Sequence, residues 1–219
     1  MNSPLDRLAR LDTCAVSDAK DSLGLSAAVS GMGRASGQGV LAGRVKTVQL
    51  AAGKPAPDAP KVHLGARAIA AATAETVIVV AHPGIDAGGW GGVLSTGAQL
   101  AGVRGVIIDG PTRDVDEAKG LGFAIFSRTT TARTARGRVY EVSTGEPVVI
   151  GAEPVADGDY VIADGSGVVF IRQADISRVL DAAERIAARE AAMVAALRAG
   201  EPITQVMGAT YETMLEAKP

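Results

Sequence analysis

The sequence predicts a mixed α/β protein in which a largely buried sheet is covered by helices. Two observations carry that prediction. Apolar runs too short for helices, TVIVVA at residues 76–81 and GVII at residues 105–108, read as strands covered on both faces. Segments of helical period separate and follow them, the longest over residues 175–199. A chain of 219 residues without an internal repeat or a convincing linker reads as one domain with a sizeable core and a C-terminal helical arm.

The elements follow in order. Residues 4–25 read as two short helices, the second capped by Asp12 or Thr13 and ended by Gly24. Residues 26–37, AAVSGMGRASGQ, are rich in glycine and read as a loop, and residues 40–50 alternate loosely as a strand. KPAPDAP at 54–60 is a loop, and the Ala-rich residues 62–73 read as a helix. After the strand at 76–81 comes the turn Gly88-Gly89-Trp90-Gly91-Gly92, a helix over 93–101 and the strand at 105–108. Residues 109–112 form a turn, 114–119 one helical turn and 123–126 a strand. Residues 139–150 and 160–171 read as β structure, the second a hairpin around Asp-Gly-Ser-Gly. The helix at 175–199 precedes a short helical tail.

Composition narrows the function. Hydrophobic residues make up 47% and charged residues 21%, as in globular proteins. A net charge of −2 gives no bulk attraction to nucleic acid or to anionic membrane, and 3% aromatics leave few platforms for stacking bases. The expectation is that neither is a partner. The single Cys14 leaves no internal disulfide or Cys-rich zinc site and reads as a packed small residue. Charges near the N-terminus stand where a signal peptide needs an apolar core, and no apolar run reaches membrane-spanning length. A cytoplasmic protein is expected.

The chemistry concentrates between Gly88 and Glu117, GGWGGVLSTGAQLAGVRGVIIDGPTRDVDE. Arg113 and Asp114 follow a buried strand, where open α/β sheets gather ligands. Arginine offers a fork matched to a carboxylate, and aspartate a hard oxygen for Mg²⁺ or Mn²⁺. The other reading of the pair is a surface ion pair that caps the next helix. The glycine turn opens a helix, so the amides around Gly91, Gly92, Val93 and Leu94 are placed to hold an anion. The turn lacks the Gly-Lys-Ser/Thr of a phosphate loop and the dinucleotide fingerprint. Glu190 lies on the apolar stripe of the last long helix, with Ile176, Val179, Ala183, Ile186, Ala187, Val194 and Leu197. A carboxylate there meets a cation, a water on a metal or a subunit boundary, or else snorkels to solvent. His63 and His82 are isolated, Asp18 and Asp21 read as caps or pairs within the first helices, and no Ser-His-Asp set emerges.

WGGVLSTGAQLAGVRGVIIDGPTRDVDE resembles the RraA-like family, which includes the class II 4-hydroxy-4-methyl-2-oxoglutarate / 4-carboxy-4-hydroxy-2-oxoadipate aldolases. TCAVSDAKDSLG, DGDYVIADGSGVVFI, ERIAARE and the tail MGATYETML agree, so the resemblance spans nearly the whole chain. It implies a central β-barrel-like or sandwich core flanked by helices, assembled as a homotrimer or homohexamer with active sites between subunits. It further implies cleavage of a small 4-hydroxy-2-oxo acid to pyruvate, and decarboxylation of oxaloacetate, with Mg²⁺ or Mn²⁺ stabilising a pyruvate enolate. By resemblance Asp114 ligates the metal, and Arg113 holds the substrate. The amides at Gly92 to Leu94 hold the pyruvate carboxylate, and Glu190 of a neighbouring subunit binds a water on the metal.

One position departs from the family. The aldolases carry an acid, then twenty residues, then Arg-Asp, and here the place of the acid is Gly92. That acid helps position a water that exchanges protons with substrate, and loss of such a group lowers rates about 10²–10⁴-fold unless another supplies it. His82, Asp86 and Asp116 are the substitutes the sequence offers. Two further readings stand beside the lyase: a binding protein like the family's ribonuclease E inhibitors, and another lyase or tautomerase on the same scaffold.

Overall fold

The two apolar runs are strands, and both of their faces are covered. The computed structural model describes residues 3–25, 28–58 and 62–208. Along the chain come α1 (Pro4–Leu8), α2 (Thr13–Ser22), β1 (Gly33–Ser36), β2 (Leu41–Ala52), α3 (Ala66–Ala70), β3 (Thr76–Ala81), α4 (Gly92–Leu100), β4 (Gly105–Thr112) and α5 (Val115–Leu121). Then follow β5 (Ala124–Thr130), β6 (Val139–Thr144), β7 (Val148–Ile150), β8 (Glu153–Val155), β9 (Tyr160–Ala163), β10 (Val168–Ile171), α6 (Ile176–Arg198) and α7 (Ile203–Val206). The tail motif beyond Gly208, part of the loop at 26–37 and part of that at 54–60 lie outside the described residues.

The main sheet runs β1-β5-β4-β3-β2-β9-β10, with β6 also paired to β2. β2, β3, β4 and β5 are parallel, joined through α3, α4 and α5, and β1, β6, β9 and β10 add antiparallel pairings. At one edge Val29 bridges to Val168 of β10, and the chain then enters β1 against β5 at the other edge. The stretch from Val29 to Ser36 thus reaches across the opening of the curled sheet, giving a half-barrel flanked by helices, in line with the barrel-like core that the family resemblance implies.

The period of two within each strand sorts side chains into separate cores. Val77, Val79, Ile107 and Phe126 point inward with Met32, Val161 and Phe170. Ile78, Val80, Val106 and Ile108 point outward onto Ala68, Trp90, Leu94 and Ala118 of the crossover side. Ile162, Val169 and Ile171 face Leu8, Val16, Val179 and Leu180 of α1, α2 and α6. Burial on both faces is why these strands lack polar alternation.

Several elements differ from the sequence reading. The loop at 26–37 contains β1, whose pairing Gly33↔Ser127 and Arg34↔Phe126 is long-range and leaves no local apolar signature. The helix expected at 62–73 shortens to α3, because Gly65 takes a left-handed backbone at its start and Thr76 accepts from the Thr73 amide beyond its end. Residues 139–150 divide into β6 and β7, and β7 pairs with the unanticipated β8 in its own two-stranded sheet. The supposed turn at 109–112 is strand: β4 continues through a register shift between Ile108 and Pro111 and still pairs Thr112 with Thr130. Pro111 sits at that irregularity, where a missing ladder donor is tolerated. Cys14 is exposed instead of packed.

Asp12 caps α2 by accepting from the Ala15 amide at 2.8 Å. Thr13 instead binds the hairpin, donating its amide (2.9 Å) and its hydroxyl (2.6 Å) to Asp164. Burial pushes the Asp164 carboxyl up, but the Thr13 hydroxyl, the Thr13 amide and the Ser166 amide outweigh it and hold the group below its ordinary 3.8. Asp164 therefore contributes stability above pH 3.8, and that contribution fades as pH falls through its lower folded value. Asp164→Ala strands two donors of buried Thr13 and is expected to cost about 1–3 kcal/mol near neutral pH. Urea unfolding checks this: the gap between the proteins should shrink in acid, and a gap independent of pH contradicts the assignment.

Candidate active site

The shift in β4 aims the end of that strand at the start of α4. Gly89 donates to the Pro111 carbonyl and Arg113 donates its amide to the Trp90 carbonyl, each at 3.0 Å, so the glycine turn runs alongside the strand end. Trp90 anchors the turn: its ring is buried and its indole N–H donates to Ser95 Oγ at 3.0 Å. Ser95 in turn donates to the Gly91 carbonyl, which fits a structural role for this helix serine.

Asp114 has φ 56° and ψ 39°, making it the one non-glycine residue with positive φ among the described residues. It stands at the N-cap of α5, yet its side chain makes no capping hydrogen bond there. Its Oδ2 instead accepts from the Gly92 amide of α4 at 3.0 Å. Arg113 Nε donates to both Asp114 oxygens at 3.1 Å. The ion pair foreseen as one reading of the two residues therefore exists, but the cap on α5 does not. Left-handed backbone costs a non-glycine residue roughly 1–2 kcal/mol, and such strain concentrates at functional sites.

The site keeps open valences. Arg113 uses only Nε, so its terminal amino groups have no partner among the described residues. Asp114 takes up the Gly92 amide of α4, Gly91 offers no side chain to cap the rest, and the Val93 and Leu94 amides have no acceptor among the described residues. Two glycines of the turn leave room for neighbouring carboxylates. A Cβ at Gly91 would lie 2.7 Å from Asp114 Oδ2, and one at Gly92 would overlap Glu117 Oε2. The structure thus brings Arg113, Asp114 and the start of α4 together.

The proposed substitutes for an acid at position 92 lie elsewhere. Asp86 pairs with Arg133 at 3.0 Å and accepts from the Thr131 hydroxyl. Asp116 is exposed and faces Lys119. His82 accepts from the Gly84 amide through Nδ1. Its pKa is lowered, chiefly by burial. Glu117 occupies the space over Gly92 instead. The sequence signal for it is the i, i+3 spacing from Asp114 on a short helix.

Glu190 is not part of this constellation within one chain. It lies on α6, half-buried, one turn beyond Ile186, the last fully buried residue of that helix. Its pKa is raised above 4.5, first by burial and then by Asp12 and Asp18. Asp18 is likewise raised, by burial and then by Asp21 and Asp12, and among the described residues its side chain makes neither the cap nor the pair expected of it. Among the described residues no three His, Cys, Asp or Glu side chains form a group able to hold a metal ion. No helix is long and apolar enough to cross a membrane among those residues.

A raised carboxyl favours the fold fully below its unfolded value of 4.5 and loses that contribution as pH rises through the folded value. Relative to wild type, Glu190→Gln should therefore be neutral in acid and stabilising at neutral pH. Thermal melts from pH 4 to 8 test this, and parallel curves for the two proteins would refute it.

Comparison with known proteins gives a consistent frame. The RraA-like family (Aldolase/RraA) matches residues 13–170. A solved, uncharacterized protein of Pseudomonas syringae pv. tomato is 28% identical, with a TM-score of 0.80 and coverage of 94% of this chain and 96% of that one. RraAS2 of Streptomyces coelicolor, described as an unusual member of the RNase ES inhibitor RraA protein family, shares 21% identity and a TM-score of 0.75. The match covers 85% of this chain and 93% of that protein, and at this identity it reports the fold alone. An uncharacterized protein of Methanocaldococcus jannaschii is 28% identical over 127 residues, 54% of this chain. The matched region spans 56% of the length of that relative.

Proposed function

The chain belongs to the RraA-like family, which holds both metal-dependent aldolases and ribonuclease E inhibitors, and on that premise we propose that it is a divalent-metal-dependent lyase for a small 2-oxo acid. The observation that carries this reading is the placement of Asp114, whose carboxylate leaves its own helix and turns to the start of α4 beside Arg113. The left-handed backbone that turns this carboxylate to the start of α4, beside an arginine with open amino groups, supports a catalytic role over binding alone.

The donor set suits a cation that keeps most of its waters. One carboxylate with free lone pairs, with no group of three ligands beside it among the described residues, matches the habit of Mg²⁺ better than that of a closed structural zinc site. Asp114 would hold it, and the cation, Mg²⁺ or Mn²⁺, would supply the Lewis acidity that stabilises a pyruvate enolate. The remaining work falls to the chain. The Val93 and Leu94 amides, at the positive end of α4, bind the substrate carboxylate. The open amino groups of Arg113 hold the 2-oxo oxygen or the second carboxylate. Together they fix a flexible oxo acid with its scissile bond near Asp114, which lowers the entropic part of the barrier.

A homo-oligomer completes the site in this reading. Val93 and Leu100 are 87% and 85% exposed and lie seven residues apart on one face of α4. On the outer half of α6, Val194 is 44% exposed on the stripe that carries Glu190. Both faces suit contact with further copies, with Glu190 reaching a neighbour's site.

The same exposed α4 face supports the second reading, a regulatory protein that binds another protein through it. Pyruvate release from oxaloacetate and from 4-hydroxy-4-methyl-2-oxoglutarate, with Mg²⁺, Mn²⁺ or EDTA, separates the two. Metal-dependent turnover that falls about 10²-fold or more in Arg113→Ala supports the lyase. Turnover no greater than that of free metal moves the weight to binding.

A further inference from the structure

We propose that Glu117 is the proton-transferring carboxylate of this site, supplied from α5 to the place where residue 92 carries no side chain. The proposal rests on the lyase reading above. From the position a Cβ would take at Gly92, Glu117 Cδ lies 2.8 Å away and Asp114 Cβ 3.3 Å, and Glu117 Oε2 overlaps it. The Glu117 carboxylate therefore fills the volume that an aspartate side chain at position 92 would enter. A side chain at 92 and the present Glu117 rotamer exclude one another, so a larger residue 92 would turn the exposed Glu117 side chain aside.

Its surroundings leave this carboxylate available. Other acids near these strand ends are engaged: Asp86 with Arg133, Asp109 with Arg128, Asp116 with Lys119, and Asp114 with Arg113 and the Gly92 amide. Glu117 has no hydrogen bond or ion pair among the described residues, and it is exposed, so it can exchange protons with water. It projects from the first turn of α5, three residues after Asp114, and both side chains come to the start of α4 at Gly92. The open Val93 and Leu94 amides, proposed to hold the substrate carboxylate, begin at the residue that Glu117 covers.

The step balances with this single group. Glu117 accepts the proton of the substrate C4 hydroxyl as the C3–C4 bond breaks. The electron pair of that bond passes into the pyruvate enolate, and the C4 fragment leaves as a carbonyl compound. Glu117 then returns the proton to C3, forming the pyruvate methyl group. Oxaloacetate decarboxylation makes the same enolate by loss of CO₂ and needs no base to begin. Glu117 thus matters more for aldol cleavage than for decarboxylation.

That asymmetry is the test. Glu117→Gln is compared with wild type in aldol cleavage, in oxaloacetate decarboxylation, in exchange of pyruvate methyl protons with D₂O by NMR, and in Mn²⁺ affinity by EPR. The expected result is a loss of aldol cleavage and proton exchange of about 10²–10⁴-fold, with a far smaller loss of decarboxylation and unchanged Mn²⁺ affinity. Gly92→Asp placed in a Glu117→Ala background should recover part of the exchange, because it returns a carboxylate to the same volume. Equal losses in both reactions, or undiminished exchange in Glu117→Gln, overturn the assignment while leaving the lyase reading intact. A wild-type protein that neither binds Mn²⁺ nor exchanges pyruvate protons overturns the lyase reading, and this role with it.

Discussion

Val77, Val79 and Ile107 fill the inside of the curled sheet, while Ile78, Val80 and Ile108 are buried against the crossover helices. Strands covered on both faces have no side on which a polar group is cheap, since an unpaired polar group in such a core costs several kcal/mol. The chemistry is therefore confined to strand ends and helix starts. The loop from Gly88 to Gly91 and the residues after Thr112 meet at one such place, tied by backbone hydrogen bonds and by the buried indole of Trp90. This constraint explains why a glycine turn, an arginine and an acid lie within a short stretch of sequence.

Asp114 is the point at which the scaffold gives up local stability for geometry. A residue at an N-cap ordinarily satisfies an amide of its own helix. Here left-handed backbone turns the carboxylate away, and it satisfies the first amide of α4 instead. The same turn sets the Arg113 guanidinium beside it with two amino groups open. Both features fit the proposed small oxo-acid substrate and hard cation, and the Asp114 carboxylate also ties the start of α4 to the end of β4.

Much of this was legible in the sequence. The strands at 76–81 and 105–108, the glycine turn, the hairpin around Asp164 and the long last helix follow from period, composition and turn chemistry. β1 was not legible, because a short glycine-containing strand held by long-range pairing has no local pattern. Nor was the extension of β4 through Asp109-Gly110-Pro111, where turn residues are recruited into a bulged strand. At the site, the meeting of Arg113 and Asp114 with the start of α4 was readable from their order. The role of Gly92 was not. Sequence shows only that a side chain is absent there, and three dimensions show that Glu117 fills the gap. Glu190 stays apart because one chain alone does not bring α6 to Asp114.

The most direct test of the central claim, that Asp114 holds a divalent cation for enolate chemistry, is the binding of oxalate, a planar mimic of the pyruvate enolate. Calorimetric titration with oxalate would be made with and without Mn²⁺, on wild type and on Asp114→Asn, a substitution that tolerates left-handed backbone. Oxalate binding should depend on Mn²⁺ in wild type and disappear in Asp114→Asn, with the melting temperature little changed. Oxalate binding of equal strength without metal, or in the variant, would contradict it.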